Sequence, residues 1–463
     1  MSVSAAQQLV DLISQAVKDI EGDIASQISG GTITDVNLPI VAREDGLEAT
    51  ETRRAAIRTL HAATHELIST IMPAGVYVLD TYSSFFEKTA IDTVVGAGIA
   101  DLIHSIDPDS SMGGVHVNVL AEKTMMDSRK LSHILRFLAL RNIFCELTEN
   151  HWANNRHSFP LRTDSSNSIV NALGHIREET SLPALVALPK LLLDKQVDGA
   201  FSRDPNHSAF YKYHQPGCDF FEFLAKSEGG YKAERFGKAM LEMSHARGSG
   251  AAVYKAFDWQ KLGPKGTLID VGGGVGAAAY AISTYLPGWK VVVQDRAEVV
   301  KDGKENYRQI GSSANLEFEE VDFFQDQPAH RSGEADTFFL RHVLHDWAFE
   351  FCVKILSRLR KAAKSTTSLL ICETVLNPPV RNHDSPILSN GGMTPSSSHI
   401  LNLAMMTLLN AEERSQAEFV EILNKSGWKL HSVTHLATLS DYFMIEGVPD
   451  PSWNPQDQCT NPS

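Results

Sequence analysis

Apolar positions follow two regimes along the chain. Up to about residue 246 they recur mostly every three or four residues, which predicts helices, whereas beyond residue 266 short apolar runs alternate with helical stretches. Leu9, Ile13, Ala16, Val17, Ile20 and Ile24 share one helical face and predict a packing helix. A polar, irregular stretch from Gly30-Gly31 to about Glu51 reads as a linker, and Thr52 to Ile71 resumes the helical period. From Lys88 to Leu161 the pattern predicts a compact unit, with helices over Ala90 to Ile103, Val119 to Lys123 and Leu131 to Leu138 and a short strand over Asn142 to Leu147. Helices followed by such a β wing point to a winged-helix fold. Asp219 to Leu224 and Phe236 to Ser244 read as further helices with aromatic and sulfur-rich faces, which are more often core than ligand pocket.

The second regime begins with Thr267-Leu268-Ile269-Asp270-Val271-Gly272-Gly273-Gly274-Val275-Gly276, followed by the helix-like Ala277 to Ile282. An apolar run that can be buried on both faces, then glycines, then a helix, forms a strand-turn-helix cradle for a nucleotide. Gly272 and Gly274 allow a sharp turn and close ligand approach, and a helix opening near Val275 aims unpaired N–H groups at it. Gly272, Gly274 and Ala277 also satisfy the fingerprint of NAD enzymes. Val291-Val292-Val293-Gln294-Asp295 predicts a second buried strand ending in a carboxylate about twenty residues beyond the glycines, where a ribose diol can be held. Asp270 favours S-adenosylmethionine (SAM), whose cationic methionine end suits a carboxylate better than a pyrophosphate does. Strands over Leu316 to Glu320, Ala335 to Leu340, Ser368 to Cys372, Lys429 to Thr434 and Asp441 to Glu446, with helices over Phe349 to Ala363 and Ser415 to Ser426, complete a doubly wound α/β domain. Pro378 to Ser398, rich in Pro, Ser, Asn and Gly, interrupts it as a surface loop.

The chain has 463 residues, of which 43% are apolar and 21% charged, so it can form two or three ordinary globular domains. Its net charge of −14 opposes binding to nucleic acid or to anionic membrane and favours a small molecule or another protein as partner. Arg136, Arg141, Arg156 and Arg162 in the winged-helix region are interleaved with acids, which argues for packing or dimerisation over DNA binding. There is no run of eighteen apolar residues, and Asp11 and Asp19 disfavour a mitochondrial presequence, so a cytoplasmic location is expected. Five scattered cysteines without a C-x-x-C pair indicate neither a disulfide frame nor a zinc site.

Polar residues at predicted strand ends mark where the chemistry of an open parallel sheet is found: Asp322-Phe323, Arg341, His345-Asp346-Trp347 and Glu373. A neutral imidazole at position 345, with an ordinary pKa near 6.5, suits removal of a proton from an accepting oxygen. Glu373 or Glu413 could fix its tautomer from the other ring nitrogen. The alternative is a purely structural His-Asp pair on a helix.

With these motifs assembled, the chain resembles the plant caffeate-type and fungal secondary-metabolite O-methyltransferases. These are SAM-dependent class I enzymes with an α-helical winged-helix dimerisation domain ahead of a Rossmann-like domain. The similarity runs from about Thr52 to Glu446 and is carried by four motifs, Asp270 to Gly276, Phe339 to Trp347, Glu373 to Leu376 and Asn410 to Ser415. The resemblance implies an N-terminal helix and linker (1–51), a dimerisation domain (52–250), a methyltransferase domain (251–450) and a polar tail (451–463). For the site it implies Gly272 and Gly273 at the methionine moiety, Asp295 at the ribose, and Asp322 and Phe323 beside the adenine, with Asp270 and Gly274 of the cradle also expected to bind the cofactor. Arg341, Trp347 and Ser244 also line the cofactor. His345 becomes the general base, flanked by Glu373 and Glu413, and Phe236, Met240, Asn402, Met405 and Met406 line the acceptor pocket. Gln294 stands where an apolar residue often precedes the ribose acid, and Asn402 where fungal relatives usually have Asp. No metal is implied. The expected partners are a phenolic or polyketide-like acceptor and a second copy of the chain. Two other readings share this fold: a pericyclase or dehydratase of natural-product biosynthesis, and a winged-helix regulator that senses SAM.

Overall fold

The computed structural model describes residues 4–29, 31–33, 35–36, 49–196, 199–246, 251–310, 315–382, 384–385, 387–393, 396–436 and 441–454. Most of the linker expected at 30–51 and of the tail at 451–463 lies outside them. The chain divides into two compact units, one formed by residues 1–181, 221–247 and 379–394, the other by 182–220, 248–378 and 395–463.

In the first unit, helix Ala5–Gln27 starts at Ser4, whose hydroxyl accepts from the Gln7 N–H, and packs Ala16, Ile20 and Ile24 against Ala56 of helix Glu51–Ile71. A separate core gathers Val94, Ile99, Ile103, Leu120, Leu131, Leu135 and Trp152. It lies among helices Phe85–Gly96, Ile99–Ile106, Val117–Thr124 and Ser128–Ala139 and a small sheet of β1 (Val115–His116), β2 (Cys145–Thr148) and β3 (His151–Ala153). The sheet is antiparallel, with β3 in the centre. Helix Tyr231–Ala246 packs on helix Val170–His175 and the π-helical turn Ile176–Ser181 that follows it. Lys232 and Arg235 from that helix are buried against Glu178 and Glu179 of the turn, at 2.7–2.9 Å.

The second unit is built on a seven-stranded sheet: β4 (Thr267–Val271), β5 (Lys290–Asp295), β6 (Leu316–Glu320), β7 (Thr337–Arg341), β8 (Ser368–Thr374), β9 (Trp428–His435) and β10 (Tyr442–Pro449). The order is β6-β5-β4-β7-β8-β10-β9, with β4 to β8 parallel and β10 antiparallel to both β8 and β9. Alternate residues of the central strands enter different cores: Ile269, Val271 and Val292 join one, and Leu268, Val291 and Val293 the other. Both faces are therefore covered, which is why these strands read as unbroken apolar runs. The doubly wound α/β fold expected from the sequence is present. Helix Gln416–Lys425 begins at a capping box in which Ser415 and Glu418 satisfy each other's backbone N–H groups.

Two segments are assigned differently from the sequence reading. Residues 182–220 pack with the sheet unit, where the Asn410 side chain donates to the Asp204 carbonyl at 2.7 Å. Residues 379–394 pack with the helical unit, where the Leu388 N–H donates to the Glu66 carboxylate at 2.8 Å. Helix Ser396–Leu409, absent from the sequence reading, follows that loop.

Candidate active site

The exit of β4 forms the cradle. Gly272, Gly274 and Gly276 have φ of +68°, +59° and +85°, in the left-handed region that side chains disfavour. A Cβ at Gly272 would stand 2.8 Å from Val343, and one at Gly273 2.6 Å from the Asp270 carboxyl, so packing excludes both. At Gly274 the same space is open, with no heavy atom within 4 Å. The backbone N–H groups of Gly272 and Gly273 donate to the Gln294 carbonyl at 2.8 and 3.2 Å, and that of Gly274 to Asp295 Oδ2 at 2.8 Å. Asp295 thus holds the turn from the end of β5. The helix begins at Ala277, two residues later than expected, with Gly276 as its cap. Gln294 is buried and forms a reciprocal amide pair with Gln327 at 2.9 and 3.0 Å while also donating to Glu319, which accounts for a polar residue in this strand.

Asp270 is buried beneath the turn, and its Oδ2 has no hydrogen-bond partner. Burial, reinforced by the nearby Asp295 carboxylate, pushes its carboxyl up to about 7. An underused buried carboxylate below an open glycine turn fits a ligand that brings a cationic group.

Beyond β6, Asp322 is exposed and accepts from the Phe324 N–H at 2.9 Å, closing the turn that presents Phe323. Phe323 and Phe324 meet the Trp347 ring edge-on at 6.0 and 4.7 Å. These rings make an aromatic wall next to the cradle, since Phe323 lies 3.6 Å from the Cβ position of Gly272. Arg341, the last residue of β7, donates to the hydroxyls of Tyr442 and Tyr254, both at 2.8 Å.

After Arg341, His342 takes a positive φ of +52° and the chain enters a short 3₁₀ turn, Leu344–Asp346, that carries His345. The expected helix is only this single turn. His345 Nδ1 lies 2.7 Å from Glu413 Oε1 and 3.9 Å from Glu373 Oε2, and Nε2 lies 3.5 Å from Asp346 Oδ1. Glu373 Oε1 accepts from the Val343 and Leu344 N–H groups at 2.9 and 3.0 Å, capping the amide end of the turn. The His342 ring stacks on His345 with centroids 5.0 Å apart. Burial alone would lower the His345 pKa, but the surrounding carboxylates of Glu413, Glu373 and Asp346 outweigh it and raise the imidazole to about 10. The surrounding carboxylates thus favour the charged ring, in the direction opposite to burial and away from the ordinary value expected from the sequence. Burial first, then neighbouring carboxylates, push Glu373 up to about 7 and Asp346 to about 6, with the imidazolium opposing. The ligand atoms of His345, Glu373 and Glu413 lie within 4.8 Å of one another, a spacing a metal ion could also use, but Nδ1 is already committed to Glu413.

Asn402, Met405 and Met406 lie on helix Ser396–Leu409, with Met405 buried. Asn402 Oδ1 accepts from the Glu413 backbone N–H at 2.9 Å, so this side chain supports the loop that presents Glu413. Phe236, Met240 and Ser244 are on helix Tyr231–Ala246 of the helical unit, where Phe236 meets His175 edge-on at 5.1 Å. The sequence analysis marks Asp346 among the strand-end polar residues but gives it no part beside the ring, and it gives no role to His342 or Arg414, although all three stand inside its motifs. Nothing in a linear pattern shows that Asp346 turns back toward the ring nitrogen or that Arg414 is buried.

Comparison with known proteins gives the family and the fold. Residues 196–429, just over half the chain, match the O-methyltransferase domain family. The O-methyltransferase gedA of Aspergillus terreus is 30% identical over 417 residues, covering 82% of this chain and 83% of its own. Among solved structures, the mitomycin 7-O-methyltransferase MmcR superposes with a TM-score of 0.65 at 22% identity, covering 81% of this chain and 98% of its own. NcsB1, an O-methyltransferase from neocarzinostatin biosynthesis in complex with SAM and 2-hydroxy-5-methyl naphthoic acid, gives 0.59 at 20% identity, covering 80% and 98%.

Proposed function

This chain belongs to the O-methyltransferase family, and we propose that it transfers a methyl group from SAM to a hydroxyl of an aromatic or polyketide-derived small molecule. SAM supplies an electrophilic methyl on a sulfonium, which leaves the protein to align the reactants and manage the acceptor's proton. The observation that carries this reading is the buried His345 ring, held at 2.7 Å by Glu413 at the end of a strand that shares a sheet with the glycine cradle.

In this reading Asp270, Gly272, Gly273 and Gly274 receive the methionine end, Asp295 the ribose, and Asp322 and Phe323 the adenine, with Ser244, Arg341 and Trp347 lining the cofactor. The unpartnered Asp270 oxygen and the open space at Gly274 support it. Phe236, Met240, Asn402, Met405 and Met406 contact the acceptor. That NcsB1, which shares this fold, binds a naphthoic acid is consistent with an aromatic acceptor. The carboxylates around His345 raise its proton affinity, which favours uptake of the acceptor's proton once the ring has released its own. Glu413 and Glu373 hold the ring while it does so.

The helical unit, in our reading, serves dimerisation. Helix Ala74–Ser83 has no buried residue although it carries Val76, Val78, Leu79 and Tyr82, and a second copy of the chain is the occupant that such a face needs.

The test is labelled SAM offered with a panel of phenols and hydroxynaphthoates. Wild-type protein should label the acceptor oxygen, and His345→Ala should lower turnover by about 10²- to 10⁴-fold with little change in SAM affinity. Because only the deprotonated ring accepts a proton, kcat/KM should keep rising from about pH 7 to about pH 9, where an ordinary histidine would already have levelled off. Conversion of a polyketide without consumption of SAM would replace this reading by the pericyclase or dehydratase one.

A further inference from the structure

We propose that Arg414 is a positioning residue for this site, a buried guanidinium that joins the three chain segments bearing His345, Glu373 and Glu413. The inference rests on the O-methyltransferase reading above and deepens it.

Three observations meet at this residue. Its side chain is 1% exposed and donates through Nη1 to the Leu344 carbonyl at 2.8 Å and through Nη2 to the Trp347 carbonyl, the residues on either side of His345-Asp346. Its backbone forms a parallel bridge with Val375, two residues beyond Glu373, and its carbonyl accepts from the Leu376 N–H at 2.9 Å. It follows Glu413 directly, so fixing Arg414 fixes the adjoining backbone from which Glu413 reaches His345. The turn that carries His345 is therefore gripped at both ends, by the Glu373 carboxylate at its amides and by the Arg414 guanidinium at its carbonyls. Both carbonyls also accept from the Cys352 thiol, and that of Leu344 from the Trp347 N–H, so the guanidinium adds a charged donor to acceptors at the carbonyl side of the turn.

Burying a guanidinium is costly, and a well-packed apolar side chain of similar volume would often be at least as stabilising. The only carboxylate within ion-pair distance among the described residues is Glu412, at 3.7 Å and itself 40% exposed. Charge pairing is thus a weak reason for a cation here, whereas two carbonyl contacts on the His345 turn are a specific one. An arginine can reach both carbonyls at once through its planar fork; a lysine cannot.

The groups facing His345 are Glu413 and Glu373 at Nδ1, Asp346 at Nε2 and the stacked His342 ring, with Arg414 behind the turn. This arrangement gives opposite signs for two roles of Arg414. If it acts only as a nearby positive charge, removing it raises the proton affinity of His345. If it positions the turn and Glu413, removing it loosens the 2.7 Å contact and lowers that affinity toward the ordinary histidine value.

The experiment compares full-length wild type with Arg414→Met and Arg414→Lys. Titration of His345 is followed by peptide-level mass spectrometry of diethyl pyrocarbonate modification against pH, a readout that needs no turnover. We expect the Arg414→Met midpoint to fall by at least about one unit, kcat on the labelled-SAM assay to fall by about 10²-fold, and SAM affinity to stay within about threefold. Arg414→Lys should recover part of both losses. An unchanged or raised midpoint in Arg414→Met overturns the proposal, as does a fall in kcat matched by an equal loss of SAM binding, which would mark a merely structural residue. If wild type transfers no methyl group, the functional reading fails, and the titration still decides the role of Arg414.

Discussion

Asp270 and His345 both have raised proton affinities, for opposite reasons. Burial and the neighbouring Asp295 favour the neutral form of Asp270, raised to about 7, while a ring of carboxylates favours the charged form of His345, raised to about 10. Each pKa is higher in the folded chain than in the unfolded one, so each contributes stability that is complete below its unfolded value and lost as pH rises. The Asp270 contribution fades between about pH 4 and about pH 7, and that of His345 between about 6.5 and about 10. A ligand ammonium brought against Asp270 reverses its preference and expels the proton. Binding of S-adenosylhomocysteine, which carries the same amine without the sulfonium, should therefore release most of a proton at about pH 6.5. Calorimetry in two buffers of different ionisation enthalpy measures this, and Asp270→Asn should abolish the buffer dependence. Equal heats in both buffers for wild type would mean that the amine lies elsewhere.

At the scale of elements, the glycine turn gives the sharpest test. Gly274 combines a φ of +59° with open space where a Cβ would stand, so Gly274→Val strains the backbone and projects a branched side chain into the cradle. It should abolish SAM binding by calorimetry while leaving most of the fold's circular dichroism intact, and unchanged affinity would place the cofactor elsewhere. This turn was readable in advance because an apolar run of strand length, three spaced glycines and an acidic residue about twenty positions on leave few other structures possible. All seven strands of the second unit were legible to within a few residues for the same reason. Helix Ser396–Leu409 was not: with Ile400, Leu403, Met405, Met406, Leu408 and Leu409 spread around it, no apolar stripe marks it, and it starts inside a Pro- and Ser-rich stretch. His345, Glu373 and Glu413 were legible from their motifs, but the proton on His345 was not. It depends on Asp346 and two glutamates converging from segments up to 68 residues apart, and spacing along the chain carries no such distance.

At the scale of the whole molecule, the chain crosses between its two units at residues 182, 221, 248, 379 and 395, so a single boundary near 250 could not be drawn by composition alone. What composition does show is the surplus of apolar surface in the helical unit. Leu79 is 66% exposed and Tyr82 79%, on a helix without one buried residue, and Ile71, Phe85 and Phe86 extend the same patch into the flanking helices. A chain of net charge −14 repels its own copies over most of its surface, so a patch with this much exposed apolar area, interrupted in its helix by Asp80 alone, is the natural place for two copies to meet. Membrane contact is the rival use of such a surface. Among the described residues no single helix is long and apolar enough to span a bilayer, and the one pair that is so jointly by length and composition, Ala74–Gly96 with Ile99–Ile106, is bent by 51°. We therefore expect a dimer that buries more than about 2,000 Å², the lower end for obligate homodimers. Light scattering at micromolar concentration should give twice the chain mass of 50.9 kDa, and the double substitution Leu79→Glu with Tyr82→Glu should halve it by placing like charges across the interface. Wild-type protein that scatters as a monomer but sediments with phospholipid vesicles would transfer this face from a second copy to a lipid surface.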